Sequence, residues 1–502
     1  MDQSFLLNPN PLVKFLKKNP KEFTKSDLIK YITENAIEIV NFRYVAGDGK
    51  LKTLNFIIND VEYLDHILTF GERVDGSSLF PFLDSGASDL YVIPCYRTAF
   101  LNPFSSIPAV DILCSYYDKN GDPLDSAPEN TLRKAHNEFK RVTGMEFQAM
   151  GELEYYIISD YEPLFEAENQ KGYHESSPFC KWSDFRTECI QLIAQTGGKI
   201  KYAHSEVGNF VLNNKMYEQN EIEFLPVNVE DAADQLVIAK WIMRTLANQY
   251  GVDLTFSPKI TAGKAGSGMH VHTKIVKEGK NMYVESGKLT DTAMKAIAGM
   301  LELAPSLTSF GNIIPTSYFR LVPHQEAPTN ICWGDSNRSA LVRVPLGWNY
   351  GALKMFTDAN PIEKVPQNID SDQKQTIEFR CPDGSADVYI LLAGITVAVR
   401  NGFEMQNAVE YAKKRYISVN IFHEENKETA SKLNHLPASC VESAECLEKQ
   451  RDVYEKYGVF SSTLIDGLIK RLKSYNDRTL RKDIENDQEK VLNLVKKYTN
   501  IG

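Results

Sequence analysis

Two carboxylates lie two residues apart inside an apolar, strand-like run, AMGELEYYIIS at residues 149–159. Successive side chains of a strand point to opposite faces, so Glu152 and Glu154 share one face, about 7 Å apart. Burying two like charges without a partner is costly. The run therefore predicts a sheet whose face also holds a cation beside these carboxylates.

The same spacing recurs in three further strand-like runs, and each places two polar side chains on one face: Glu221 with Glu223, His270 with His272, and Glu378 with Arg380. One such pair usually marks only the solvent face of a strand. Four pairs of this composition favour a single sheet with carboxylates and imidazoles on one side. Such ligands suit Mg²⁺ or Mn²⁺. The pattern predicts a site for more than one divalent cation.

The segment 316–345 adds four charged residues, which are Arg320, Glu326, Arg338 and Arg343. Arginine binds carboxylate and phosphate groups through paired hydrogen bonds, and beside metal ions it fits phosphoryl transfer. The sequence contains no GxxxxGK[ST] motif and no kinase glycine-rich loop. The residues alone indicate a two-metal enzyme acting on phosphate and carboxylate groups, with a two-metal hydrolase as the alternative.

Charge and composition limit the classes of partner and the cellular location expected for this chain of 502 residues. The net charge is -10, which argues against nucleic acid as a partner because phosphate binding needs a basic face. No run approaches about 18 apolar residues, so no membrane span is expected, and the N-terminus is too polar for a signal peptide. The 8 cysteines form no CxxC motif, which indicates reduced thiols in a cytoplasmic protein.

The chain divides into two predicted domains, residues 1–125 and residues 126–502. The turn cluster DKNGDP at 118–123 precedes this boundary, and a helix-rich region begins at 128. The first domain is expected to contain a terminal arm, a helix at 25–36, a hairpin around Gly47-Asp48-Gly49 and a β-rich segment to about Asp111. In the second domain we predict helices at 182–196, 231–250 and 292–304, a loop at 346–375 and a helical tail from 403.

Taken together and in order, the motifs resemble those of the glutamine synthetase family. They include VDGSSLFPFLDSGASDLYVIP (74–94), GELEYY (151–156), HSEV (204–207), EQNEIEF (218–224), GSGMHVH (266–272), the arginine segment (317–345), IEFRCPDGSADVY (377–389) and LPASCVESAECLE (436–448). The resemblance covers about residues 72–450. It implies an α+β fold, with an N-terminal β-grasp domain and a C-terminal catalytic domain built on a curved antiparallel sheet flanked by helices.

The resemblance also implies a reaction and an assembly. ATP-dependent ligation of ammonia to L-glutamate, through a γ-glutamyl phosphate, gives L-glutamine, ADP and phosphate. Two or more Mg²⁺ or Mn²⁺ ions per subunit are implied, with ATP as a substrate. The implied assembly is a homo-oligomer, a dodecamer of two hexameric rings with active sites between subunits.

Roles are carried over residue by residue. One metal ion is assigned to Glu154, Glu206 and Glu221, and the other to Glu152, His270 and Glu378. Glutamate binding is assigned to Gly266, Arg320 and Arg380, and ATP binding to His272, Lys274, Arg338 and Arg343. The ammonium pocket is assigned to Asp75, Ser78, Tyr173 and Glu206. Catalysis is assigned to Asp75, which takes a proton from ammonium, to Glu326 on a mobile flap that excludes water, and to Arg338 on the developing phosphoryl charge.

Several positions depart from the family pattern. Ala265 stands where the family usually has asparagine, and the flap reads Pro323-His324-Gln325-Glu326 in place of a glycine-containing sequence. Phe422 lacks the hydroxyl that receives AMP in some bacterial members. Ala265 and the altered flap keep one alternative open, a γ-glutamyl ligase of the same fold that uses another amine. A second alternative is a non-catalytic relative that senses glutamine, against which the intact metal ligands and arginines count.

Overall fold

The computed structural model describes residues 5–80, 88–323, 327–347, 350–364 and 371–502. Its first sheet is formed by β1 Ile39–Val45, β2 Leu51–Ile57, β3 Glu72–Asp75, β4 Asp89–Pro94, β5 Phe100–Leu101 and β6 Ala109–Tyr117. The strand order is β2-β1-β6-β4-β3, with β5 beside β6, and β1 pairs in parallel with β6. The predicted hairpin is confirmed, since β1 pairs antiparallel with β2 and Gly49 has a φ of +75°.

Four helices accompany this sheet: α1 Pro11–Leu16, α2 Lys25–Glu34, α3 Val61–Phe70 and α4 Gly76–Leu79. The predicted helix at 25–36 is confirmed by α2. Helix α3 lies within the segment predicted to be β-rich, which also contains β3, β4, β5 and β6. The Asp60 side chain caps it, and Leu64, Ile67 and Leu68 are buried at the spacing of one helical face.

The second sheet contains ten strands in the described residues: β7 Glu146–Asp160, β8 Ile200–Leu212, β9 Lys215–Phe224, β10 Val227–Asn228, β11 Asp253–Thr255, β12 Met269–Lys277, β13 Lys280–Asn281, β16 Trp333–Asp335, β17 Val342–Val344 and β18 Ile377–Phe379. Its central path is β16-β17-β18-β12-β7-β9-β8, and β14 Val284–Glu285 pairs separately with β15 Lys288–Leu289.

The longer helices of this part are α5 Pro128–Thr143, α6 Ser183–Gln195, α7 Val229–Tyr250, α8 Asp291–Gly311, α11 Val388–Glu404, α14 Cys440–Glu455, α15 Ser462–Ser474 and α17 Gln488–Tyr498. The shorter ones are α9 Ser317–Arg320, α10 Tyr350–Ala359, α12 Ala408–Lys413, α13 Lys427–Ser431 and α16 Leu480–Ile484. Single 3₁₀ turns lie at Pro20–Glu22, Tyr96–Thr98, Ser371–Lys374, Glu424–Asn426 and Lys456–Gly458.

The predicted helices of the second domain are confirmed as α6, α7 and α8, and the tail from 403 is largely helical. The prediction of a loop over 346–375 is wrong in part, because α10 lies within it. No helix in the described part of the chain is both long and apolar enough to cross a membrane. The domain boundary near 125 stays a prediction; β6 ends at Tyr117 and α5 begins at Pro128.

The second sheet has one apolar and one polar face. Leu153, Ile222, Val271 and Phe379 point to the same side and are at most 1% exposed. They join one hydrophobic cluster with side chains from α7 and α8. Alternation along each strand then places the intervening carboxylates and imidazoles on the opposite face. Helices therefore cover one side of the sheet, and the candidate site lies on the other.

Candidate active site

The four strands with paired polar residues are neighbours, in the order β18-β12-β7-β9. The prediction that they form one sheet is confirmed. Glu152 lies opposite Glu223 on one side and opposite His270 on the other. Glu378 lies opposite both His272 and Arg343. Strand register thus brings residues that are far apart in sequence to one sheet face.

This face forms the floor of a cavity of about 750 Å³. Most of the sequence-predicted site residues line it: Glu152, Glu154, Tyr173, Glu206, Glu221, Gly266, His270, His272, Lys274, Arg320, Arg338, Arg343, Glu378 and Arg380. Asp75 and Ser78 are not among the described residues that line it. Glu326 lies outside the described residues.

Glu152 is the centre of the polar face because two imidazoles contact it. His270 Nδ1 lies 2.8 Å from Glu152 Oε2, and His272 Nε2 lies 2.8 Å from Glu152 Oε1. Burial alone would raise the pKa of Glu152, but His272 and His270 outweigh burial and lower this pKa well below its ordinary value. The other ring nitrogen of His272 contacts Thr376 Oγ1 at 2.8 Å, which fixes the plane of the ring.

Three groups of side chains could each hold a cation, with ligand atoms within 4.8 Å of one another: Glu152, Glu221 and His270; Glu152, Glu223 and His272; and His204, Glu206 and Glu221. Carboxylate oxygens with one imidazole nitrogen suit Mg²⁺ or Mn²⁺. These residues therefore fit divalent cations.

The groups differ from the two ligand sets that the resemblance implies. Glu154 and Glu378 belong to none of them in this conformation. Glu154 Oε2 accepts hydrogen bonds from Gln219 Nε2 at 3.0 Å and from the Gly268 amide at 2.9 Å. Glu378 accepts from Arg343 at 2.8 Å and from Arg380 Nε at 3.0 Å. Both carboxylates still line the cavity, and their assignment as metal ligands stays a prediction.

Burial and neighbouring acidic groups raise the pKa of two carboxylates on this face. Burial, followed by the charge of Glu154, raises the pKa of Glu206 to about 7. Burial, followed by the charges of Glu152 and Glu154, raises the pKa of Glu221 well above its ordinary value. A positive charge placed among these groups would reverse both effects. The electrostatics therefore favour a bound cation.

Glu206 reaches the site because strand β8 is irregular. The pairing of β8 with β9 shifts between Ser205 and Asn209, so three residues lie opposite one. Gly208 is required there, since a Cβ at this position would lie 1.9 Å from Tyr156 Oη. The bulge turns the Glu206 carboxylate to within 3.9 Å of His204 Nδ1.

Arg320, on α9, is fixed by backbone carbonyls. It donates to the Cys381 carbonyl oxygen at 2.8 Å, and its Nη2 lies 3.3 Å from His270 Nε2. A Cβ at Gly268 would lie 2.6 Å from Arg320 Nη2, which explains glycine at that position. Arg320 and Arg380 both line the cavity, and guanidinium groups of this kind can bind a carboxylate.

Asp75 and Ser78 lie at the start of α4 in the first domain. Asp75 accepts hydrogen bonds from the Ser77 amide at 2.9 Å and from the Ser77 and Ser78 hydroxyls at 2.7 Å. The hydroxyls of Ser78 and Ser77 lower the pKa of Asp75 to about 2. This exposed carboxylate is therefore negatively charged at any physiological pH.

Glu223 is one of the paired residues that predict the cation site, but the resemblance assigned it to neither metal ion, and His204 received no role; both belong to candidate groups. A usable signal existed for both. His204 precedes Glu206 by two residues, and Glu223 follows Glu221 by two, which is the same spacing as in the other pairs. Lys201 also lines the cavity; alternation does not place it there, but the resemblance puts it at a nucleotide-site position.

Comparison with known proteins decides the family. The protein-family model named glutamine synthetase, catalytic domain, matches residues 125–490. The family model named glutamine synthetase, beta-Grasp domain, matches residues 36–119. The chain belongs to the glutamine synthetase family. The resemblance and the fold class inferred from the sequence are thereby confirmed.

Relatives agree along most of the chain. Glutamine synthetase of Pyrococcus abyssi is 30% identical over 430 residues, which cover 85% of this chain and 89% of the relative. The cryo-EM structure of Plasmodium falciparum glutamine synthetase superposes with a TM-score of 0.74 at 20% identity, covering 91% of this chain and 97% of that one. A structure titled apo GmaS without ligand superposes with a TM-score of 0.73 at 19% identity, covering 92% and 100%. The two structural likenesses show the fold.

Membership gives the broad chemistry. Glutamine synthetases are ligases that use ATP and divalent cations, and the acidic and imidazole groups of this cavity are of the type that binds such cations.

Proposed function

We propose that this chain is a glutamate–ammonia ligase, which forms L-glutamine, ADP and phosphate through a γ-glutamyl phosphate. The observation that carries the proposal is the composition of one cavity. Carboxylates and imidazoles that fit divalent cations line its floor, and four arginines, Arg320, Arg338, Arg343 and Arg380, line the same 750 Å³. A donor carboxylate and a polyphosphate can both be bound there.

Bound divalent cations would neutralise charge on the phosphates. We assign their ligands to Glu152, Glu154, Glu206, Glu221, His270 and Glu378, with His204 as a further candidate from the geometry. We assign ATP to His272, Lys274, Arg338 and Arg343, and glutamate to Gly266, Arg320 and Arg380. In this arrangement the side chains align the γ-carboxylate of glutamate with the terminal phosphate, and Arg338 stabilises charge as the phosphoryl group is transferred.

We assign the ammonium pocket to Asp75, Ser78, Tyr173 and Glu206. Tyr173 and Glu206 line the cavity, whereas Asp75 and Ser78 lie in the first domain of the same chain. We propose that a neighbouring subunit of a ring, in a dodecamer of two hexamers, contributes its Asp75. An ionised Asp75 would attract ammonium and accept its proton as nitrogen attacks the acyl phosphate. Glu326 is assigned to the flap that excludes water.

One observation favours a second candidate, a γ-glutamyl ligase for a larger amine. Ala265 lines the cavity without a polar side chain, in the place where the family usually has asparagine. Its backbone is held by Gln170 Oε1, which accepts from the Ala265 amide at 2.7 Å, and by Tyr156, which donates to the Ala265 carbonyl at 2.8 Å. The space that the missing side chain leaves is available to a substrate.

The test is release of phosphate from ATP in the presence of L-glutamate, with ammonium compared against methylamine, ethanolamine and putrescine. Mass spectrometry of the product identifies the amide formed. Ammonium as the best acceptor supports the first proposal, and a larger amine with a tenfold higher kcat/KM supports the second. Absence of glutamate-dependent phosphate release with every acceptor, in verified folded protein with Mg²⁺ or Mn²⁺, would overturn both.

A further inference from the structure

Lys201 occupies an irregular position on the edge strand of the catalytic sheet. On β8, Ile200 lies opposite Phe224 and Tyr202 lies opposite Glu223, so Lys201 is an extra residue without a partner on β9. Such a bulge bends the strand and redirects the extra side chain, and bulges are enriched beside active sites. In a regular strand Lys201 would face away from Tyr202. Here its side chain lines the same cavity as Tyr202.

The Lys201 ammonium group lies in contact with a buried acid. Its Nζ is 2.5 Å from Glu223 Oε1, and the Glu223 side chain is only 3% exposed. Tyr202 also hydrogen-bonds to Glu223. The two neighbouring imidazoles both contact Glu152, and in the described part of the chain Lys201 is the cationic side chain that forms an ion pair with Glu223. A carboxylate this buried needs a cation close by.

Glu223 also belongs to one of the candidate cation groups. Ligand atoms of Glu152, Glu223 and His272, from three adjacent strands, lie within 4.8 Å of one another. Two carboxylates and one imidazole make a suitable donor set for a divalent ion. The same carboxylate thus has two possible cationic partners, the ammonium group of lysine and a metal ion.

We infer that Lys201 takes the place of a divalent cation at the group formed by Glu152, Glu223 and His272. The ammonium group neutralises Glu223, and its positive charge repels a metal ion from this corner of the cavity. The resident cations are thereby confined to the neighbouring ligand groups. Lys201 can be displaced more readily than Glu223, since its side chain is 43% exposed, with Nζ over the Tyr202 ring at 4.9 Å from the centroid, whereas the Glu223 side chain is 3% exposed.

The experiment counts the Mn²⁺ ions bound per chain in metal-stripped protein, without substrates, by EPR of free Mn²⁺. Lys201→Ala should bind one ion more than the wild type. Lys201→Arg keeps the positive charge and should bind the wild-type number. Lys201→Ala combined with Glu223→Gln should lose the additional ion. Lys199→Ala is the matched control, because Lys199 precedes Lys201 by two residues, is exposed and lines a different cleft. It should bind the wild-type number.

The same number of ions in folded Lys201→Ala as in the wild type would overturn the inference. If the double variant still binds the additional ion, this ion does not bind at the group formed by Glu152, Glu223 and His272, and the proposed location is wrong. If Lys201→Ala fails to fold, as judged by circular dichroism, Lys201→Met keeps the aliphatic stem and gives the same comparison. The Mn²⁺ count does not depend on turnover. The inference about Lys201 can therefore be wrong while the ligase reaction is confirmed, and it can be right while the ligase reaction is not.

Discussion

Glu154 and Glu221 lie directly opposite each other on β7 and β9, and they are only 8% and 7% exposed. Like charges at opposed positions of a sheet repel. The raised pKa of Glu221, due to burial and to neighbouring carboxylates, expresses this repulsion. The metal-free protein therefore contains an unfavourable arrangement that a bound cation would relieve.

Glu221→Gln should raise the Tm of the metal-free protein and reduce the rise in Tm that Mg²⁺ or Mn²⁺ produces. A ligand at 100 times its Kd stabilises a folded protein by about 2.7 kcal/mol, and a lost ligand group diminishes this gain. Thermal unfolding in EDTA and in excess cation measures both effects.

The matched control is Glu218→Gln on the same strand. Glu218 faces the other way and accepts from the Lys181 and Trp182 amides, so this change should lower Tm and leave the cation-induced rise intact. A full cation-induced rise in Glu221→Gln would contradict the assignment.

The stability of the metal-free protein should depend on pH through Glu206. Its pKa is about 7 in the folded chain and 4.5 ordinarily, so the folded state binds the proton more tightly. The resulting stabilisation is complete below pH 4.5 and is lost as pH rises through 7. The Tm of the wild type relative to Glu206→Gln should therefore fall between about pH 5 and pH 8. Excess Mg²⁺ should abolish the fall, because it stabilises the ionised carboxylate. A difference in Tm that does not vary with pH would rule this out.

Glu378→Gln should reduce kcat by about 100-fold or more and leave the protein folded. Glutamine keeps an oxygen that can accept from Arg343 or Arg380, but it removes the charge that orients both guanidinium groups and that would contribute to a metal site. Steady-state phosphate release at saturating Mg²⁺ measures kcat. The control is Glu168→Gln, an exposed carboxylate paired with Lys171, which should have no effect. Wild-type turnover in Glu378→Gln would remove this residue from the catalytic machinery.

If the site is shared between subunits, two inactive variants should complement each other. Asp75→Ala removes the proposed contribution of one subunit, and Glu152→Ala removes the central carboxylate of the other. Mixed rings, formed by dissociation and reassembly, should regain part of the wild-type activity, because some interfaces combine two intact halves. Native mass spectrometry verifies the mixture. Inactive rings of verified mixed composition would place Asp75 and Glu152 of the same subunit in one site.

Ammonium should have the highest kcat/KM of any acceptor, and Asp75→Asn should raise its KM or abolish synthesis. The pocket assigned to the acceptor contains two acidic groups, which suit a compact cation that must lose a proton. Asp89→Asn is the matched control, since Asp89 lies opposite Asp75 in the same sheet and is exposed. An equal effect of both substitutions would indicate a general surface-charge effect rather than a role for Asp75.

The polar face of the catalytic sheet could be predicted because alternation has a fixed period of two. Glu152 with Glu154 and Glu221 with Glu223 had to share a face in any regular strand. Alternation does not give strand order or register, and these decide which carboxylates meet. The grouping of Glu152 with Glu223 and His272 could therefore not be predicted from the sequence.

Irregular and context-dependent elements were also missed. Helix α3 follows strand β2 in a segment whose apolar residues suit either structure, and Asp60 caps the helix by accepting a hydrogen bond from the Tyr63 amide. The position of Lys201 depends on one unpaired residue, which alternation assigns to the wrong face. The residues that line the cavity from regular strands could be predicted by alternation. Those that depend on an irregular strand, such as Lys201, could be found only from the three-dimensional structure.

The bulge at Lys201 also has a genetic consequence. Removing this single codon would place Ile200 directly before Tyr202, and their partners Phe224 and Glu223 are already consecutive. The ladder would become regular at this position, and because β8 is the last strand of the sheet, only its pairing with β9 would be altered. One in-frame deletion could thus exchange a lysine-containing cavity for one without it while the rest of the sheet is preserved. Lineages of this fold could gain or lose that positive charge in a single mutational step.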